Sequence, residues 1–264
     1  SSDVCSSDLV GTVALAAAGI GTALACVSCG VVVSIFKVVV RFIFVRKIIK
    51  CPFALFPLPQ RLWDKNLFVL ASWNWGQAVG GNLFNAADKF LVGALFGVEV
   101  LSSYAICSQI AQFVHGVQAS AAQVLLPWAN KCWASATEDT LRKFHRVAFW
   151  GGMACLVLPL AVAAAMPTVL GFWISNDFAR DNVNLAYALL LGYALLSSNI
   201  PLHYILLGGG GIKILTTLNL IGGVASILIG FWLAGFGVIY FALSKCIYSP
   251  VTLLAVTRLR IRNN

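Results

Sequence analysis

An aspartate and a lysine stand side by side in LFNAADKFLV, residues 83–92, within an otherwise apolar run. A charge deep in hydrocarbon costs about 2.5–3.5 kcal/mol on insertion scales, so each must face protein, water or a partner. Neighbouring helical residues point about 100° apart, so Asp88 and Lys89 need not pair with each other. Counted at about 1.5 Å per residue from Leu67, Asp88 lies roughly 32 Å along its segment, near the outer end. There Asp88 can fix a helix contact, while Lys89 either lends positive potential to a cavity or snorkels to the interface.

Polar residues gather around this pair at helical spacing. Asn74, Gln77, Gly81, Asn85 and Asp88 recur at steps of three and four, which lays them along one helical face. The next apolar segment repeats the pattern with Gln109, Gln112, Gly116, Ser120 and Gln123, with His115 close by. Amides and hydroxyls suit sugars because they donate and accept hydrogen bonds without a fixed charge. The alternative is that they join helices through hydrogen bonds worth about 0.6–2 kcal/mol each. Two further cations are candidates for an anionic cargo: Lys245 in FALSKCIYSP, and Arg180 in an outer connector beside Asp177 and Asp181. Lys245 reads equally as lining a groove or snorkelling, Arg180 as pairing locally with an aspartate, and His203, beside Pro201, as a packing residue.

Other motif-like stretches carry no such chemistry. Cys26-Val-Ser-Cys29 has no second pair and no histidine partner, so no metal is expected; the scattered cysteines read as small apolar residues. GGGGIK, residues 208–213, lacks the Ser or Thr that follows the lysine of a phosphate loop, and it fills a short turn between spans. The outer connectors offer only Glu99, Asp177 and Asp181, with no Asp-Asp or Asp-x-Asp cluster. A membrane glycosyltransferase needs such acids, so the chain reads as a non-enzyme without a cofactor.

The elements that position these residues follow from composition. The chain has 264 residues, 60% hydrophobic and 10% charged, with a net charge of +9, and its mean hydropathy is +0.89. The fold class is therefore an all-α polytopic transmembrane helix bundle of about seven spans. The candidate spans are Val10 to Phe36, Leu67 to Phe96, Leu101 to Trp128, Val147 to Ile174, Val183 to Leu207, Ile214 to Ala234 and Val238 to Val256. The second exceeds the length a crossing needs, so it tilts, kinks at Gly80-Gly81 or runs past the membrane. Of the 18 basic residues, all but Lys89, Arg180 and Lys245 fall in connectors or tails on one side. Cytoplasmic loops hold lysine and arginine, so this places the C-terminus in the cytoplasm. The same interleaving of basic residues with apolar runs argues against nucleic acid as a partner.

Domain organisation follows along the chain. Ser-Ser-Asp occurs twice in residues 1–9, which read as the translated end of a sequencing adaptor and are set aside. Residues 10–46 hold the last helix of a truncated first lobe. Residues 47–66 form a basic cytoplasmic linker, 67–258 a second lobe and 259–264 a cytoplasmic tail.

At NLFNAADKFLVGALFGVEVLSSYAICSQIAQFVHGVQASAAQVLLPWANK the chain resembles the polysaccharide-transporter branch of the multidrug/oligosaccharidyl-lipid/polysaccharide exporter superfamily. The matching features are Asp88-Lys89, the turn region at Gly93 and Gly97, Tyr104-Ala105 opening the next helix and Pro127 closing it. MPTVLGFWISNDF, the helix of Lys213 and Asn219, and GFGVIYFALSKCIYSPV are similar too, so the likeness covers residues 60–258. The resemblance implies a six-helix second lobe plus the last helix of the first. It implies a flippase moving undecaprenyl-diphosphate-linked oligosaccharides between leaflets of the bacterial inner membrane by alternating access, through a cationic polar cavity. Lys89 and the amide stripes are the positions carried over. The implied partners are the lipid-linked oligosaccharide, membrane lipids, a coupling cation and polysaccharide polymerase or assembly proteins. A cation-coupled multidrug exporter of the same superfamily is the alternative, with Asp88 as its coupling carboxylate.

Overall fold

Both amide stripes lie on long helices. In the computed structural model Lys65–Phe96 forms one uninterrupted helix, α1, and Val98–Ala122 forms α2. The structure describes residues 65–134 and 137–256, together with the helical positions 32, 35, 36, 38–40 and 43. The expectations for residues 1–9, the linker before Lys65 and the 259–264 tail fall outside these, as does most of the 10–46 crossing. By contact the chain divides into two units, Ser1–Asp64 and Lys65–Asn264, and the second carries the helices that follow.

Gly97 joins α1 to α2 at φ 88° and ψ 173°, a conformation open essentially to glycine alone. The same Phe-Gly-Val tripeptide recurs at residues 236–238, where Gly237 adopts φ 117° and ψ 170°. The two elbows are linked through Phe96, whose ring meets that of Phe241 edge-on at 6.2 Å.

The expected third span is cut short. α2 ends at Ala122, a turn follows at residues 123–124, and α3, Leu125–Ala134, begins. Pro127 sits in the first turn of α3, where a missing N–H breaks no helical bond. It therefore opens a helix, contrary to the expected role of closing the one before it. α4, Glu138–Trp173, starts nine residues earlier than expected because Thr137 caps it, its Oγ1 accepting from the Thr140 N–H, with Glu138 and Asp139 at the positive helix end. Arg142, Lys143 and Arg146 consequently lie on a helix and not in a loop. Ser175 caps α5, Asn176–Ser198, in the same way through the Phe178 N–H. Asp177, Arg180 and Asp181 thus occupy the opening turns of α5, a correction to the outer connector expected there. Arg180 is exposed and forms no ion pair with either aspartate among the described residues, as the small worth of exposed pairs allows.

Pro201 interrupts the central helix, so α5 gives way at Asn199 to α6, Ile200–Gly208. Gly209, Gly210 and Gly211 turn the chain into α7, Ile212–Leu233, with Gly210 at φ 76°. The last expected span is broken. Beyond Gly237 come α8, Val238–Leu243, a 3-10 turn at Ser244–Ile247, α9, Tyr248–Leu253, and a final 3-10 turn at Leu254–Val256. Pro250 cannot donate to the carbonyl of Cys246, and its ring crowds that carbonyl, which accounts for the loss of regular winding just before it.

α5 is the axis of the bundle, packed by α2, α4 and α8, while α1 packs on α2 and α7, and α3 on α6. One apolar core surrounds Val92, Tyr104, Met166, Leu189 and Phe241; another surrounds Phe144 and Ile205 at the other end of α5–α6. Glu138–Trp173, Asn176–Gly208 and Ile212–Phe236 are long and apolar enough to cross a membrane. The protein is an all-α membrane helix bundle.

Candidate functional site: a buried polar seam

Asp88 is buried, and its partner is on a distant part of the chain. Lys245 Nζ lies 2.9 Å from Asp88 Oδ2, and the Tyr104 hydroxyl donates to the same oxygen at 2.6 Å. Asp88 and Lys245 are each only 6% exposed. Lys245 Nζ also stands 5.3 Å from the centroid of the Tyr193 ring, within cation–π range. Tyr193 in turn donates its hydroxyl to Asn85 Oδ1 at 3.1 Å, and Gln112 lies within hydrogen-bonding reach of that hydroxyl. One cluster therefore joins α1 (Asn85, Asp88), α2 (Tyr104, Gln112), α5 (Tyr193) and the broken terminal segment (Lys245).

The cluster continues through side chains of α2 and α1 that reach α5 and α6. His115 Nδ1 is 2.9 Å from Ser197 Oγ, and its ring tilts against Tyr193 at 6.0 Å. Further along, Gln77 Nε2 lies 3.3 Å from His203 Nε2. From Gln77 to Asp88 the seam follows about 16 Å of helix, roughly half a hydrocarbon layer.

Glycine permits the approach of the terminal segment. A Cβ on Gly192 would stand 2.8 Å from Lys245 Cβ, so only a bare backbone at that position of α5 lets the Lys245 turn sit where its ammonium reaches Asp88. The C-terminal half of the segment is held by Asn199, whose Nδ2 donates to Ser249 O at 3.0 Å and reaches Thr252 Oγ1 at 2.7 Å. Ser249 Oγ donates to Leu195 O at 2.8 Å.

The structure thus separates the expected residues into two sets. Gln77, Asn85, Asp88, Gln112, His115 and Lys245 contact other helices through their polar atoms. For Lys245 this corrects both expectations, the open groove and the snorkelling chain: its ammonium is enclosed and ion-paired. Asn74, Gln109 and Gln123 are exposed, and Lys89 is half-buried. Gln109, Gln123 and Lys89 make no side-chain hydrogen bond or ion pair among the described residues.

Sequence reading singled out neither Tyr193 nor Gln118, and took Tyr104 only as a helix opener. α2 buries Tyr104, Cys107, Ser108, Ala111, Val114 and Gln118, a face adjacent to the amide stripe instead of on it. That spacing is as helical as the stripe's, but tyrosine within an apolar run looks like ordinary core until its hydroxyl is seen to need a partner. Gln118 donates its Nε2 proton to the carbonyl of Cys155 on α4. Among the described residues no three metal-ligating side chains come together, and Cys107, Cys132, Cys155 and Cys246 are free thiols.

No curated protein and no solved structure matches the chain. A family described as polysaccharide biosynthesis protein does, over residues 2–171, a range that takes in most of residues 1–9 as well as α1, α2, α3 and nearly all of α4. With most of its length matched, and with a bundle of membrane-crossing helices closed around a polar seam, the chain belongs to this family of polysaccharide biosynthesis proteins.

Proposed function

We propose that the protein translocates a lipid-linked oligosaccharide, of the undecaprenyl-diphosphate class, across the bacterial cytoplasmic membrane for synthesis of a surface polysaccharide such as O-antigen or capsule. It moves its cargo by alternating access without changing it covalently. The observation that carries this reading is the division of polar groups within a member of a polysaccharide biosynthesis family. Gln77, Asn85, Asp88, Gln112, His115 and Lys245 are taken up in contacts that hold helices together. Lys89, Gln109 and Gln123 remain to meet a hydrophilic anion, with Asn74 exposed on the same helix as Lys89. Amides hydrogen-bond a glycan, and an ammonium attracts a diphosphate, while the prenyl chain stays in the bilayer.

In this reading the chain crosses the membrane about seven times, with its C-terminus in the cytoplasm and residues 67–258 as the second lobe of a two-lobed transporter. Its partners are the glycolipid, the surrounding lipids, a coupling cation and the polymerase or assembly proteins that receive the translocated unit. The rival reading, a cation-coupled drug exporter, needs a carboxylate free to bind its ion. Asp88 is the carboxylate it would use, and Asp88 is engaged by Lys245 and Tyr104.

The test is translocation of radiolabelled undecaprenyl-diphosphate oligosaccharide in proteoliposomes, run beside efflux of a cationic dye. Glycolipid movement is expected, and Lys89→Ala is expected to slow it more than Lys89→Arg at equal expression. Dye efflux without glycolipid movement would select the rival. Equal rates for the two Lys89 variants would remove Lys89 from the cargo path.

A further inference from the structure

The Asp88–Lys245 pair joins α1 to the terminal segment, whose winding is interrupted by a 3-10 turn, and it does so through two buried charges. That is a poor choice for stability alone, because a buried ion pair is commonly replaced by apolar side chains of similar volume at no cost. Its distinguishing property is sensitivity to water. The attraction weakens about fourfold between a partly dry protein site and bulk solvent. A contact of this kind holds firmly while the seam is closed and lets go once water enters.

The terminal segment is built to pivot at this contact. Gly237, at φ 117°, forms its outer elbow, and the chain winds as a 3-10 turn across Ser244–Ile247, where Lys245 lies. Pro250 removes the backbone bond that would stiffen the next turn. The Asn199 clasp, on Ser249 just before Pro250 and on Thr252 just after it, fixes the C-terminal half. The stretch between elbow and turn packs on α5 and α7, and the ion pair adds its tie to α1.

We propose that Asp88 and Lys245 form a latch: with the pair closed, the stretch from Gly237 to Lys245 is tied to α1, and when the pair opens that stretch moves away from α1 about the irregular winding between Lys245 and the clasped Ser249, while the Asn199 clasp stays in place. The latch does not depend on the nature of the cargo, and it is read without any transport assay. Cys246, half-buried next to Lys245, is a native reporter of its state.

The experiment measures labelling of Cys246 by N-ethylmaleimide in native membranes, with the other cysteines replaced by serine. The neutral double variant Asp88→Asn/Lys245→Met leaves no unpaired charge, so it separates a latch from a merely structural contact. A latch predicts labelling about tenfold faster than with the charged pair, the change expected when about 1.4 kcal/mol is lost from a closed state. It also predicts that the reversed pair Asp88→Lys/Lys245→Asp returns the rate to within about twofold of the original. Three results overturn the proposal: labelling of the neutral variant at the original rate, labelling of the reversed pair as fast as the neutral one, or failure of the neutral variant to fold as judged by thermal unfolding in detergent.

Discussion

Lys245 and Lys89 are both lysines within apolar runs, and their surroundings assign them opposite tasks. Lys245 is buried against Asp88 and the Tyr193 ring, so replacing it alone leaves Asp88 buried without its cation. Breaking a buried pair from one side costs about 3–5 kcal/mol, whereas neutralising both partners costs far less. Lys245→Met is therefore expected to lower the unfolding temperature in detergent markedly, with Asp88→Asn added on top recovering most of the loss; a single variant as stable as the original would show that Asp88 is not charged in the seam. Lys89 has no such partner among the described residues, and its replacement should leave stability nearly unchanged. At this scale the sequence was informative about which residues are polar, and uninformative about their burial and pairing. Asp88 and Lys245 lie far apart in the chain, and no local spacing rule connects them.

At the scale of elements, close approach is decided by glycine. A Cβ on Gly152 of α4 would stand 2.6 Å from the backbone carbonyl oxygen of Ser198, which cannot swing aside as a side chain can. Gly152→Ala is expected to separate α4 from α5 and to destabilise the protein by about 1–3 kcal/mol, the usual range for overpacking. Gly116→Ala, on α2 with open space around its Cβ, should be neutral or slightly stabilising because alanine is the better helix former. Thermal unfolding of the two variants side by side checks the argument, and equal stability would contradict the α4–α5 packing. Helix existence was largely legible from apolar length. The ends were not: Thr137 and Ser175 extend α4 and α5 into stretches whose charge suggested loops, because a cap and a favourable end charge outweigh the absence of apolar periodicity.

For the whole molecule, the expected topology makes a directional prediction. Cysteines introduced at Glu99 and at Ser175 should be labelled from the outside of intact cells by a membrane-impermeant maleimide, and one at Lys213 only after the membrane is opened. Labelling of Lys213 from outside would invert the bundle and with it the proposed direction of transport. The prediction depends on the asymmetric placement of basic residues, which acts during insertion and is independent of how the helices later pack.

The amino-acid sequence alone determined the solvent this protein folds in, the helical class of the fold and the identity of its scarce polar side chains, because composition and 3.6-residue periodicity are local properties read by lipid and water before any tertiary contact forms. The tertiary structure decided which of those polar groups hold the bundle together and which stay available. In a bilayer there is little hydrophobic drive to bring helices together, so their arrangement rests on close backbone approach and on hydrogen bonds between residues distant in the chain. The meeting of Asp88 with Lys245 across the space left by Gly192 is of that kind.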